Sequence, residues 1–395
     1  MEWLFFLLPI AAISGWLSAR VHYKKEAIRP GTPINSDYFK GLNYLLNEQA
    51  DKAIDVFIQL LEVNSETVET HLALANLFRR KGETERAIRI HQNLIARPTL
   101  SAVQRDHVLI ELGLDYMHAG VLDRAEQLFL ELLDRPSPST QAVEQLLRIY
   151  QQEKEWLKAI EMAKKLYPQK RDKIGHKIAQ FYCELVEQEN LTSATQHTVQ
   201  EHLKQAHHYD SNNVRATLLE ANVYINNGKY RKALKCLHHI EHQNHRYLSE
   251  ALPLMYNGYQ HINKLASFQN WLESILIAHP NMTSARIMLT TLIHQHQGEQ
   301  AAQDYLYKQL HLHPSVEGLY TLISLGDQSN PILVPLIKDI TNTLMTRGHR
   351  YTCNHCGFSG KSLHWQCPSC NQWGTIQPTE IHLSTLETLL ESPTT

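Results

Sequence analysis

The sequence predicts a mainly α-helical protein, and three observations carry that expectation. A helical pattern running from about residue 37 to residue 347 repeats itself. An uncharged apolar run opens the chain, and four of its six cysteines crowd into "YTCNHCGFSGKSLHWQCPSCNQWGTIQP", residues 351–378. A length of 395 residues with 43% hydrophobic content supports more than one core. The net charge of −2 supplies no field of one sign that would favour nucleic acid, so no nucleic-acid partner is expected. Histidine is frequent, at 24 residues, and pairs such as His207-His208 and His238-His239 read as solvated side chains of helices.

The first element is "WLFFLLPIAAISGWLSA", Trp3 to Ala19. Its 17 residues make about 26 Å of helix, slightly short of a hydrocarbon core of about 30 Å, and a snorkelling Arg20 makes up the difference. Trp3 and Trp16 lie near its two ends, where amphipathic rings favour the interface. A cleaved signal peptide would need basic residues before the run; here they follow it, as Arg20, Lys24, Lys25 and Arg29. Residues 1–20 therefore read as a retained transmembrane anchor, 21–36 as a juxtamembrane linker ending in "IRPGTPINS", and the rest as cytoplasmic. A reducing compartment makes paired cysteines metal ligands rather than disulfides.

The second element, residues 37–347, repeats on a small residue at Ala53, Ala87, Ala125, Ala159 and Ala233, with steps of 34, 38, 34 and 74. Nine positions earlier stands an aromatic: Tyr44, Phe78, Tyr116, Tyr150 or Tyr224. Twelve positions earlier stands Gly41, Ala75, Gly113, Leu147 or Ala221. Small residues on two helices let the backbones approach, and the aromatic fills the groove beside them. Pro98, Pro136, Pro168, Pro280 and Pro314 fall where repeats should end. A period of 34 resembles that of tetratricopeptide repeats, about eight or nine of them, stacking into a superhelix with a concave protein-binding face. The stretch contains no Gly-rich phosphate loop, His-Glu-x-x-His or Gly-x-Ser-x-Gly, so no enzyme site is expected. Cys183 and Cys236 read as buried small hydrophobes.

The third element spans residues 348–380, followed by a tail over 381–395. Cys353 and Cys356 form one Cys-x-x-Cys pair, Cys367 and Cys370 the other. Two such turns facing each other give a tetrahedral sulfur site for one metal ion, iron or zinc. Gly357 follows the first pair, where a positive φ finishes the turn, and a unit this small needs a metal staple. His355 and His364 lie close by, but four thiolates already fill the site. Phe358, Trp365 and Trp373 are expected to pack this knot or dock it on the repeats. Both knuckles resemble those of rubredoxin, so electron transfer on iron stands beside a purely structural metal.

The whole chain resembles the lipopolysaccharide assembly protein B family. The resemblance is carried by "LFFLLPIAAISGW" at 4–16, "NLFRRKGETERAIRIHQNL" at 76–94, "FYCEL" at 181–185 and "CPSCNQWGTIQP" at 367–378. It implies a bacterial inner-membrane protein, single-pass, with its soluble part in the cytoplasm. It also implies a non-catalytic adaptor that promotes degradation of the LpxC deacetylase by the membrane protease FtsH. Other inner-membrane lipopolysaccharide regulatory or assembly proteins are implied partners, and the implied metal ligands are Cys353, Cys356, Cys367 and Cys370. An assembly scaffold that delivers nothing to a protease is the alternative, and the residues leave a homodimer open. The fold expected is thus a tetratricopeptide-repeat superhelix with an N-terminal transmembrane helix and a small C-terminal rubredoxin-like metal-binding domain.

Overall fold

The computed structural model describes residues 68–379, except 99, 136–138, 169, 192–195 and 327–332, together with a few positions between 39 and 56. The expected anchor, linker and tail lie outside the described residues, as does Pro136. Among the described residues no helix is long and apolar enough to cross a membrane.

The chain divides into two compact units, residues 1–149 and 150–395. The first holds α1 (Val68–Arg80), α2 (Thr84–Ile95), α3 (Ala102–His118) and α4 (Leu122–Leu133), and α5 (Thr140–Gln152) runs into the second. The second continues with α6 (Trp156–Leu166), α7 (Arg171–Leu191), α8 (Gln196–Tyr209), α9 (Val214–Asn226) and α10 (Tyr230–Asn244). A 3-10 turn (His245–Tyr247) leads to α11 (Leu248–His261), α12 (Leu265–Ala278), α13 (Thr283–Gln297), α14 (Glu299–Leu312), α15 (Val316–Leu325) and α16 (Leu333–Arg347). Three short strands close the chain: β1 (Tyr351–Cys353), β2 (Ser359–Gly360) and β3 (Ile376–Pro378).

The helices pair through tight turns with a shared geometry. Gly82, Gly120, Lys154, Gly228 and Asn263 each stand two positions before a second helix, with φ between 54° and 84°. The residue after each donates its N–H to the carbonyl of the repeat's aromatic, closing the first helix with a 6→1 bond. The bonds are Glu83 to Phe78 (2.9 Å), Val121 to Tyr116 (2.9 Å), Glu155 to Tyr150 (2.9 Å), Lys229 to Tyr224 (2.8 Å) and Lys264 to Tyr259 (3.0 Å). Gln49 donates to Tyr44 in the same way at 2.8 Å. Some starts are capped by side chains: Ser101 and Gln104 form a reciprocal capping box on α3, and Asn213 and Ser315 cap α9 and α15. Pro98, Pro168, Pro280 and Pro314 fall two or three residues beyond α2, α6, α12 and α14, where no helical N–H is needed.

The repeat's small positions are core. Ala53, Ala75, Ala87, Ala125, Ala159, Ala221 and Ala233 are all fully buried. Gly113 has a different role from backbone-to-backbone approach: a Cβ there would stand 2.6 Å from the Phe129 ring of α4, so the missing side chain makes room for an aromatic. The pattern fades beyond residue 245 for a visible reason. In the α11–α12 pair Phe268 occupies the alanine position and stacks on Tyr259, centroids 5.0 Å apart. In the next pair a single residue, Gly298 at φ 90°, joins α13 to α14, which shifts the spacing.

The histidines depart in part from the solvated reading. His208 and His239 are exposed, but His207 is half-buried against Glu220 (3.2 Å) and His238 against the Tyr259 hydroxyl (2.7 Å). In the first unit His91 is fully buried with Nδ1 2.5 Å from Asp115, which also receives Arg79 at 2.8 Å. The bond satisfies Nδ1 and the carboxylate, while the buried His91 Nε2 has no hydrogen-bond partner. Cys183 is buried, as expected, and burial pushes its thiol up to about 12. Cys236 is only half-buried.

Candidate metal centre

The C-terminal sheet has strand order β2-β1-β3, both pairings antiparallel, with Tyr351 facing Gly360 on one side and Pro378 on the other. This small scaffold holds two matching knuckles. In the first, Gly357 donates to the Cys353 carbonyl (2.9 Å) and Cys353 donates to that of Phe358 (2.7 Å). In the second, Asn371 donates to Cys367 (2.8 Å) and Cys367 to Gln372 (2.9 Å). The residue after each second cysteine is left-handed: Gly357 at φ 76° and Asn371 at φ 56°. Gly357 thus has the positive φ expected of it, while Asn371 does the same job with a residue that tolerates that region.

The knuckles bring Sγ of Cys353, Cys356, Cys367 and Cys370 within 4.8 Å of one another. Cys353 and Cys370 are 3.8 Å apart, Cys356 and Cys367 3.7 Å. A regular tetrahedron with metal–sulfur bonds of about 2.3 Å has edges of about 3.8 Å, so the sulfurs stand where four ligands of one ion would. Electrostatics points the same way. Burial opposes ionisation of Cys353, but the Thr375 hydroxyl and the Cys356 and His355 amides bring it down to about 6. Cys370 goes the other way, to about 12: the Gln372 amide favours its thiolate, but burial and the three neighbouring thiols outweigh it. Four thiolates share this space only if a cation neutralises them. His355 and His364 are exposed and outside the cluster, with His364 bonded to Ser362 instead.

Aromatic and polar side chains dock this ribbon on the helices of the second unit. Trp373, 5% exposed, stands edge-on to Trp156 of α6 (6.1 Å) and Phe181 of α7 (5.9 Å). Trp365 stacks on Tyr247 at 5.6 Å. The Arg215 guanidinium lies over both tryptophans, at 5.8 and 6.0 Å, and is 2% exposed. Its donors are satisfied by Gln180 (3.2 Å), Glu184 (2.8 Å) and Glu187 (2.9 Å), which is what permits a buried cation. Tyr351 donates to Glu250 (2.8 Å), and Arg246 to Gln377 (2.9 Å). Trp365 and Trp373 therefore dock the knot, and Phe358 packs inside it against the buried cysteines.

Sequence reasoning missed the helical side of this seam: Trp156, His176, Phe181, Arg215 and Tyr247. It also missed a signal that was present in the repeats. The residue before each aligned alanine is basic: Lys52, Arg86, Arg124, Lys158 and Lys232. Four of these sit over their own repeat's aromatic: Lys52 on Tyr44 (5.9 Å), Arg86 on Phe78 (5.9 Å), Lys158 on Tyr150 (5.3 Å) and Lys232 on Tyr224 (6.0 Å).

Comparison with known proteins gives a consistent result. Residues 351–378 match the model of a rubredoxin metal binding domain, and residues 70–101 and 185–255 match tetratricopeptide repeat models. The chain is 36% identical over 385 residues to lipopolysaccharide assembly protein B of Escherichia coli strain K12, covering 96% of this chain and 98% of that one. It is 35% identical over 394 residues to the protein of that name from Haemophilus influenzae, with the same coverage of 96% and 98%. Among solved structures, a tetratricopeptide repeat protein from Parabacteroides merdae is 14% identical, covers 70% of this chain and 100% of its own, and has a TM-score of 0.33. Naa15/Naa10 bound to HypK-THB is 14% identical, covers 79% of this chain and 46% of that one, with a TM-score of 0.45.

Proposed function

The chain belongs to the lipopolysaccharide assembly protein B family, and from that membership we propose that it is an inner-membrane adaptor that regulates lipopolysaccharide biosynthesis. It is a repeat-built assembly protein rather than an enzyme. In this reading residues 1–20 anchor it in the bacterial inner membrane, and the repeats of 37–347 face the cytoplasm. The repeats engage the LpxC deacetylase and present it to an FtsH-type membrane protease, with other inner-membrane lipopolysaccharide proteins as further partners. Confinement to the membrane plane raises the effective concentration of client and protease, so modest contacts suffice.

Cys353, Cys356, Cys367 and Cys370 are proposed as ligands of one iron or zinc ion, which would supply the cross-link that a ribbon of this size lacks. The chain's own residues do the rest. Thr375 and the knuckle amides steady the thiolates, and Trp365 and Trp373 carry the ribbon's rigidity into the helices.

The observation that supports the adaptor reading best is the buried seam between ribbon and helices. Two tryptophans, a buried arginine and a tyrosine hold a surface in one shape. The test is the half-life of LpxC after synthesis is blocked, in cells with and without the protein. The half-life should lengthen on deletion, and again when residues 1–20 or 350–395 are removed. An unchanged half-life in the deletion strain rejects protease delivery and leaves an assembly scaffold.

A further inference from the structure

His176 lies on the outer turns of α7, with both ring nitrogens engaged. Nδ1 is 2.7 Å from Asp210 Oδ2, at the end of α8, and Nε2 is 3.2 Å from the backbone carbonyl of Trp373 in the ribbon. Both partners are acceptors only: a carboxylate and a peptide oxygen. A neutral imidazole has one N–H and one lone pair, so in either tautomer one of these contacts would set lone pair against lone pair. The imidazolium donates to both. The Asp210 carboxylate is itself held by the Asn212 amide (3.1 Å) and Asn213 Nδ2 (3.5 Å), so it stays in place as acceptor. The ribbon is shaped to this ring, since at Gly374 a Cβ would stand 2.7 Å from Nε2.

We propose that His176 is a proton-operated latch, whose imidazolium ties the ribbon to α7 and α8 and whose deprotonation loosens that tie. The charges facing the ring are few. Asp210 favours the cation from the end of α8, and Lys177 on α7 opposes it. From the ribbon the Trp373 carbonyl and the Gly374 backbone face it, neither of them titratable. Arg215 of α9 is already engaged by Glu184 and Glu187. The His176 side chain is 39% exposed, so it exchanges protons with solvent without the protein opening.

The direction of the titration agrees with the geometry. The bond to Asp210 holds the His176 pKa above its ordinary value; burial and Lys177 work against it, while the Asp210 charge and the Trp373 carbonyl add to it. Docking contributed by a group with a raised pKa is fully present below the undocked pKa and is lost as pH rises through the docked one. A docked pKa one pH unit above the undocked value corresponds to about a tenfold change in the docking equilibrium. The metal site runs the opposite way, because thiolates bind metal better as pH rises. A ribbon that loosens on alkalinisation while keeping its metal is therefore a signature the cysteines cannot produce.

The test uses the purified full chain in detergent and needs no partner, so its failure leaves the adaptor proposal untouched. Hydrogen exchange of residues 351–379, corrected for intrinsic rates, is followed from about pH 6 to about pH 9, with metal content measured at each point. Wild type should lose protection at constant metal content, by about tenfold for each pH unit that separates the docked from the undocked pKa. His176→Gln, which offers a donor that does not titrate, should show a flat profile. Nitrogen-15 spectra of the histidine rings, with the His176 signal identified by its absence in His176→Gln, should show both nitrogens protonated near neutral pH. A neutral His176 ring at about pH 6, or the same pH slope in wild type and His176→Gln, overturns the latch.

Discussion

Tyr247 stacks on Trp365 with centroids 5.6 Å apart and planes 16° off parallel, and its hydroxyl donates to the Ile376 carbonyl at 2.5 Å. One side chain of the 3-10 turn thus holds two separate parts of the ribbon. Tyr247 is 3% exposed, and burial together with the Glu250 charge pushes its phenol up to about 12. The two interactions separate by substitution. Tyr247→Phe keeps the stack and orphans a buried carbonyl, a loss of about 1–2 kcal/mol. Tyr247→Ala removes the ring as well, and the loss should reach about 3–5 kcal/mol. Denaturant unfolding of both variants checks this. Equal losses would mean that the stack contributes nothing beyond the hydrogen bond.

Gly374 offers a prediction with an internal control. It has φ 65°, and a Cβ there would meet His176 at 2.7 Å. Gly120 has φ 76° with nothing within 4 Å of a Cβ. Both alanine substitutions carry the left-handed backbone cost of about 1–2 kcal/mol. Only Gly374→Ala also displaces the histidine, so it should cost more and should raise hydrogen exchange within the ribbon. If Gly120→Ala costs as much and exchange in the ribbon is unchanged, the close approach to His176 carries no weight.

The sequence made the array and the knot legible because each rests on a local rule. A small residue, an aromatic nine positions earlier and a turn recur together because the same turn is built each time. Where chemistry differs but geometry does not, the rule was hidden. Lys154 and Asn263 take the left-handed position that Gly82, Gly120 and Gly228 take elsewhere, and Phe268 replaces an alanine by repacking on Tyr259. The cysteine spacing located the cluster because a Cys-x-x-Cys knuckle is set by its own backbone bonds. The docking seam could not be read. His176 and Asp210, or Tyr247 and Ile376, are joined only by the tertiary fold, and a lone histidine or tyrosine on a helix has no periodicity to betray its partner.

Acid should loosen the α8–α9 pair. The hydrogen bond from His207 holds the Glu220 carboxyl below its usual range, against the opposing effect of burial. A depressed carboxyl contributes stability that is present above its unfolded pKa and is lost as pH falls through the folded one. Stability between about pH 5 and about pH 3 should therefore fall less steeply in Glu220→Gln than in wild type. Unfolding midpoints measured across that window decide it. Identical slopes would show that the pair is solvated in solution and does no work.

Removal of metal should reach further than the ribbon. Without the ion the four cysteines revert toward thiols, whose weak S–H contacts replace four metal–sulfur bonds, and a unit of three short strands has little core to fall back on. The consequence passes through the seam. Trp373 covers Trp156 and Phe181, and Trp365 covers Tyr247, so release of the ribbon exposes buried rings on α6, α7 and the 3-10 turn. Arg215 loses the rings above it while Glu184 and Glu187 remain, so its ion pairs turn from buried to solvated and weaken. In Cys353→Ser/Cys370→Ser, or in wild type stripped by a chelator, one metal per chain should be lost and residues 351–379 should become protease-sensitive. Hydrogen exchange should rise in α7 and in residues 245–247 in the same samples. A released ribbon beside unchanged exchange in α7 would show that the helices hold their shape alone, and the metal's influence would then end at the ribbon's edge.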